Sequence, residues 1–198
     1  VHLQQKEWAQ AATALSWLIT GPGRGLYDLV PNYADNFRHT TENNRESVFE
    51  IQFKMRPENS GEDGPTSNVG TSRPPFFAPP GHGFNDANMR RWVVHEFLKE
   101  TTANGSRDPR LGITALYDST DERGPDFTQV YGSSFTSKNY NSDISGRVWY
   151  RKYLNDYFRL NEFEVFNSPI NFRLIRFADV LLMYAEALNA QGQTAQAY

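Results

Sequence analysis

Cysteine is absent from the 198 residues, so no disulfide, thiolate nucleophile or cysteine-held metal can take part in the chemistry. No apolar run approaches the ~18 residues that a membrane-spanning helix needs. Positive charge is not in excess either: 20 Lys and Arg stand against 23 Asp and Glu, for a net charge of -3. The basic residues are dispersed, and the electrostatic footprint that a phosphate backbone demands is missing, which argues against a nucleic-acid partner.

Metal and catalytic signatures are equally sparse. His2, His39, His82 and His95 lie far apart with no partner at i+3 or i+4, so no zinc site is expected. The alternation Asn139, Asn141, Asp143 begins like a calcium loop. It departs from one where Ile144 replaces the turn glycine and Tyr150 the bidentate glutamate. Asp118, Asp121 and Glu122 read as a solvated acidic loop before they read as an irregular calcium site. Gly21, Gly23 and Gly25 precede no Gly-Lys-Ser/Thr, and no Gly-x-Ser-x-Gly elbow occurs. Glycoside hydrolysis needs two carboxylates ~5 to ~9.5 Å apart, one of them with a raised pKa, and no acidic pair sits in a recognisable motif for it. The expectation is a protein that is not an enzyme and holds no cofactor.

What the chain has is aromatic and loop-forming. Aromatic residues reach 14% within a hydrophobic share of only 38%, and the mean hydropathy is -0.65. Such a chain buries rings rather than a large aliphatic core, and its length suffices for one domain or part of one. From Leu3 to Ile19, Leu3, Trp8, Ala11, Ala12, Leu15, Leu18 and Ile19 keep helical spacing, and Gly21-Pro22-Gly23 ends the run. Val48, Ile51 and Phe53, with Phe49 opposite, read as a short strand. Residues 54–90 are rich in Pro and Gly and read as an extended loop region. Met89 to Glu100 reads as a short helix with Trp92, Val93, Phe97 and Leu98 on one face, and Asp108-Pro109 as a turn. Residues 117–146 read as loop again.

The strongest pattern lies near the C-terminal end. Leu174, Ala178, Leu181, Ala185 and Leu188 recur at steps of 4, 3, 4 and 3, which predicts a helix from Phe172 to about Asn189, buried on most sides. Arg176 and Asp179 can pair along it or across to a neighbouring helix. Gly192 stops the run, and Thr194 is positioned to cap a following helix that starts at Ala195.

The stretch Arg176-Phe177-Ala178-Asp179-Val180-Leu181-Leu182-Met183-Tyr184-Ala185-Glu186-Ala187-Leu188-Asn189 resembles the helical signature of SusD/RagB proteins, the cell-surface nutrient-binding lipoproteins of Bacteroidetes. Val48-Phe49-Glu50-Ile51-Gln52-Phe53, Asp108-Pro109-Arg110-Leu111, Tyr150-Arg151-Lys152-Tyr153 and Ser168-Pro169-Ile170-Asn171 are similar to further elements of that family, so the likeness runs from about Trp8 to Tyr198. The signature itself is a packing motif, in which alanines let helices approach closely.

The resemblance implies a mostly α-helical, SusD-like fold: tetratricopeptide-like helix pairs beside a loop-rich region with a few short strands. Residues 1–53 would hold a helical repeat and an edge strand, 54–170 the loop-rich ligand-facing region, and 171–198 a helical repeat. SusD relatives are longer, so the chain reads as an internal fragment, with the signal peptide and lipidated cysteine expected upstream of Val1. Also implied are glycan capture at the outer membrane and delivery to a TonB-dependent SusC-like transporter. A RagB-like peptide ligand and a surface glycosidase are the alternatives.

Sugar rings offer apolar C–H faces to aromatic side chains, while Asn, Asp and Arg satisfy hydroxyls. The segment from Phe76 to Trp92 supplies both kinds of group, and Phe84, Asn85, Asp86, Arg90, Arg91 and Trp92 are the candidate ligand-binding residues. Against this stands the plainer reading that Phe76, Phe77 and Trp92 cap the core from outside.

Overall fold

The computed structural model describes residues 1–54, 70–117, 129–134, 147–162 and 168–198. The helices among them are α1 (Trp8–Ile19), α2 (Arg73–Phe77), α3 (Trp92–Leu98), α4 (Arg110–Thr114), α5 (Phe177–Ala190) and α6 (Thr194–Ala197). The strands are β1 (Ser47–Ile51), β2 (Ala115–Tyr117), β3 (Gln129–Val130), β4 (Ser133–Ser134), β5 (Val148–Tyr150) and β6 (Phe172–Arg176). They pair as three two-stranded antiparallel sheets, β1 with β6, β2 with β5 and β3 with β4. The chain forms two compact units, one of Val1–Gln52 with Asn171–Tyr198, the other of Phe53–Ile170.

In the first unit α1 packs against α5, and α5 against α6. The expected helix from Phe172 begins only at Phe177, because Phe172–Arg176 is strand β6. The physical reason lies in the two arginines. Arg173 faces Glu50 across the ribbon, with Nε and Oε2 3.1 Å apart and both side chains buried. Its Nη groups donate to Asn36 O (2.5 Å) and Thr41 O (2.9 Å). Arg176 donates to buried Glu46 (2.7 Å), so its ion-pair partner is this glutamate and not Asp179 on the helix. A helix over these residues would forfeit those acceptors.

Burial pushes the Glu50 carboxyl up, but hydrogen bonds from Asn171, Ser47 and the Asn43 N–H, together with the Arg173 charge, outweigh it and hold the group below the usual carboxylate range. Helix α5 buries Phe177, Val180, Ala187 and Leu188. Leu182 is 71% exposed, so α5 is less enclosed than its periodicity predicts.

Three boundaries differ from expectation. α1 starts at Trp8 because the chain before it closes a turn with Lys6 at φ +60°. Phe53 lies beyond the end of β1. Thr194 is the first residue of α6 rather than its cap, since the turn through Gly192 at φ +76° uses Gln193 as well.

Among the described residues of the second unit, α2, α3, α4 and the β2/β5 and β3/β4 ladders give regular structure. α2 begins Arg73-Pro74-Pro75, and the prolines stand in its first turn, where a missing N–H costs nothing. Both are buried. The β2/β5 ladder has core on both faces. Leu116 and Trp149 belong to a cluster with Ala78, Val130, Tyr131 and Leu154. Ala115, Tyr117 and Val148 belong to one with Met89, Val94 and Leu111. α3 is shorter than the expected Met89–Glu100 and buries Val94. Asp108 accepts the Arg110 N–H (2.9 Å) and so opens α4 as well as forming the turn. Asp118, Asp121, Glu122, Asn139, Asn141 and Asp143 lie outside the described residues.

Candidate functional site

Three of the six candidate residues, Phe84, Asn85 and Asp86, take their positions from backbone pairing to α2 and its C-cap Ala78. After α2 the chain turns through Pro79-Pro80-Gly81-His82-Gly83 and runs back along the helix. Phe84 N–H donates to Pro75 O (2.8 Å), Asn85 N–H to Ala78 O (3.1 Å) and Asp86 N–H to Phe76 O (2.9 Å). Gly83 is required by close approach: a Cβ there would collide with the Pro75 carbonyl and the Ala78 side chain. Asn85 takes the left-handed conformation at φ +60°, which Asn tolerates better than most residues. Its Oδ1 accepts from Trp149 Nε1 (2.7 Å) and Asn88 Nδ2 (3.0 Å).

Four residues after Asn85, Met89 N–H donates to Val148 O (2.7 Å), and the buried Met89 side chain leads into α3. Consecutive residues of β5, Val148 and Trp149, thus hold the segment at two points. Between and beyond those points the candidates divide into two groups. Phe84, Asn85 and Asp86 form the outgoing arm of the turn that Pro79 O closes; Arg90, Arg91 and Trp92 precede and open α3. Phe84 is 45% and Trp92 61% exposed, so Trp92 is not a core cap. The Phe84 ring leans on Phe76 (centroids 5.6 Å). Phe77 packs instead into a half-buried cluster with Tyr150 (5.4 Å) and Tyr153 (5.2 Å), and the Arg73 guanidinium lies 5.3 Å from the Tyr153 ring centre.

Alongside α3 runs an open cleft of about 290 Å³, lined by Val93, Glu96, Phe97, Glu100, Asp108 and Arg110 among others. Arg110 grips Asp108 with two nitrogens (Nε to Oδ1 2.9 Å, Nη2 to Oδ2 2.5 Å) and sits 5.7 Å from the Phe97 ring centre. The Arg110 hydrogen bonds outweigh desolvation and hold the Asp108 carboxyl below its ordinary range.

Behind the turn lies a group that sequence reasoning missed. Glu162 is fully buried. It accepts from Tyr131 OH (2.9 Å), Asn155 N–H (2.6 Å) and Asn155 Nδ2 (2.7 Å), and its own N–H donates to His82 O (2.8 Å). Burial pushes its carboxyl above the usual range, against the pull of those hydrogen bonds and of Arg159. No local pattern marks Glu162 or Tyr131. Trp149 had a faint signal as the centre of the apolar triplet Val148-Trp149-Tyr150.

A family model described as the SusD family matches residues 45–198. A SusD superfamily protein from Bacteroides vulgatus ATCC 8482 is 28% identical with a TM-score of 0.71, over 99% of this chain and 38% of that one. Surface glycan-binding protein A from Bacteroides thetaiotaomicron, solved with laminarihexaose, is 24% identical with a TM-score of 0.65, over 95% of this chain and 40% of that one. A SusD-like carbohydrate-binding protein from Bacteroides fragilis NCTC 9343 is 21% identical with a TM-score of 0.68, over 97% and 38%. The last two likenesses are of fold. The chain spans about two fifths of the length of these structures. A comparison with curated proteins gives no match.

Proposed function

The chain belongs to the SusD family, and from that premise we propose that it captures glycans at the cell surface without cleaving them. The observation that carries this reading is the exposure of Phe84 and Trp92 on a segment pinned at two points to β5. A ring that is both exposed and held pays little entropy on stacking against a sugar face. Asp86, Arg90 and Arg91 stand beside the rings in sequence and supply acceptors and donors for hydroxyls. β-Glucans of the laminarin type are the first ligands to try, because a laminarihexaose complex is known for one protein of the same fold. In the same reading α1 with α5, and α5 with α6, are tetratricopeptide-like pairs. The protein is anchored at the outer membrane and passes its ligand to a TonB-dependent SusC-like transporter.

The test is affinity electrophoresis and calorimetry against laminarin, starch and a peptide panel. Binding to a polysaccharide that disappears in the Phe84→Ala, Trp92→Ala double variant is the expected result. Full binding in that variant removes the site, release of shorter sugars replaces capture with hydrolysis, and binding only to peptides replaces the ligand class.

A further inference from the structure

We propose that Glu162 is a positioning residue for the Phe84 to Asp86 turn, acting through Tyr131 and His82. The part that concerns ligand rests on the reading of that turn as glycan-facing.

The contacts form one short path. Glu162 holds the Tyr131 hydroxyl and, through its own N–H, the carbonyl of His82. The His82 ring lies flat on the Tyr131 ring, with centroids 4.3 Å apart and planes 8° from parallel. His82 sits two residues before Phe84, inside the turn that Pro79 O closes by accepting from the His82 and Gly83 N–H groups (both 3.0 Å). Glu162 therefore grips both layers of the stack that supports the turn, the tyrosine by its hydroxyl and the histidine by its backbone.

Two costs are concentrated on this path. The carboxylate is fully buried, and the nearest cation, Arg159, stands 3.9 Å away, so three neutral donors carry most of its solvation. A buried charge held in that way is expensive. Tyr131 is a bulky residue at φ +53°, followed by Gly132 at φ +70°, in the tight turn between β3 and β4. A left-handed tyrosine is disfavoured, because its Cβ crowds the following carbonyl oxygen. Positive φ at both central residues is what a two-residue hairpin turn of this hand requires. The left-handed conformation forms part of the tight turn in which Tyr131 sits, and Tyr131 delivers its hydroxyl to Glu162 with the ring buried.

Further described groups of the second unit support the path. Asp156 holds the Tyr131 N–H by its carbonyl (3.0 Å) and pairs its carboxylate with Arg151 (2.9 Å). Ser168 donates to Asn155 Oδ1 (2.8 Å), which orients the amide that serves Glu162.

The test compares the full chain with Glu162→Gln and Tyr131→Phe by site-resolved hydrogen exchange and by laminarin titration. Tyr131→Phe keeps the stacked ring and cuts only the hydroxyl link, so it remains informative if Glu162→Gln folds poorly. Exchange at the Phe84, Asn85 and Asp86 amides is expected to rise about tenfold or more in both variants, with the β2/β5 amides unchanged. Laminarin affinity is expected to fall about fivefold. Wild-type exchange at those three amides overturns the inference, and so does loosening spread evenly through β2 and β5, which marks a purely structural residue. Lost binding in Phe84→Ala with wild-type exchange and affinity in Glu162→Gln sinks the positioning role alone. Undiminished binding in Phe84→Ala sinks the glycan reading of the turn, while the exchange arm still decides the link from Glu162.

Discussion

The indole N–H of Trp149 donates to Asn85 Oδ1 at 2.7 Å, joining a fully buried ring to a residue whose backbone has left the ordinary regions. The pair couples the hydrophobic core of the second unit to the turn that carries Phe84. Asn85→Ala removes the acceptor and places a Cβ residue without a compensating amide at φ +60°. A cost of about 2–4 kcal/mol is expected, from one unsatisfied buried donor and one left-handed residue. Asn85→Gly keeps the conformation and loses only the acceptor, so denaturant unfolding of the two variants separates the contributions.

Trp92→Ala is expected to change stability by no more than about 0.5 kcal/mol, because the ring is largely exposed. Its laminarin affinity is expected to fall by about 0.5–1.5 kcal/mol, the worth of one stacked ring. Calorimetry beside thermal melting shows whether the two quantities part company.

Gly83→Ala drives a methyl group into the Pro75 carbonyl and the Ala78 side chain. Neither neighbour is the end of a flexible side chain. A loss of about 1–3 kcal/mol is expected, as for other overpacked sites, read as a lower urea midpoint with an unchanged slope.

Arg173→Met leaves buried Glu50 without its cation and takes one donor each from the carbonyls of Asn36 and Thr41, the latter keeping the Asn44 amide. Breaking one side of a buried pair typically costs about 3–5 kcal/mol. Glu50 also sets a pH dependence. Its folded pKa lies below the ordinary value, so its stabilisation is present above the unfolded carboxylate range near ~4.3 and is lost as pH falls through the folded value. Glu50→Gln is expected to flatten the acid limb of the unfolding curve measured between neutral pH and pH ~2.

Residues 177–190 were legible because their period is helical over several turns and their apolar stripe is long. Residues 172–176 were not, since Leu174 falls in phase with the helix that follows. What decides for the strand is the placement of Glu50 and Glu46, more than 120 residues earlier in the chain, and no local window contains them. Pro74 and Pro75 misled in the opposite sense. Two prolines read as a helix breaker, yet within the first turn of a helix they are permitted, and the position within the element could not be known beforehand. The candidate residues were found by side-chain type. Their supports, Trp149, Tyr131 and Glu162, lie 46 or more residues from Phe84 to Asn85 in sequence and were out of reach.

Because β5 secures the segment through the Val148 carbonyl and the Trp149 indole, the side chains at 84, 86, 90 and 92 contribute nothing to those two fastenings. Substitution at those four positions can therefore retune which sugar is preferred while the scaffold stays as it is. Diversification among paralogues would be expected to concentrate there, leaving Asn85, Met89 and Trp149 comparatively invariant.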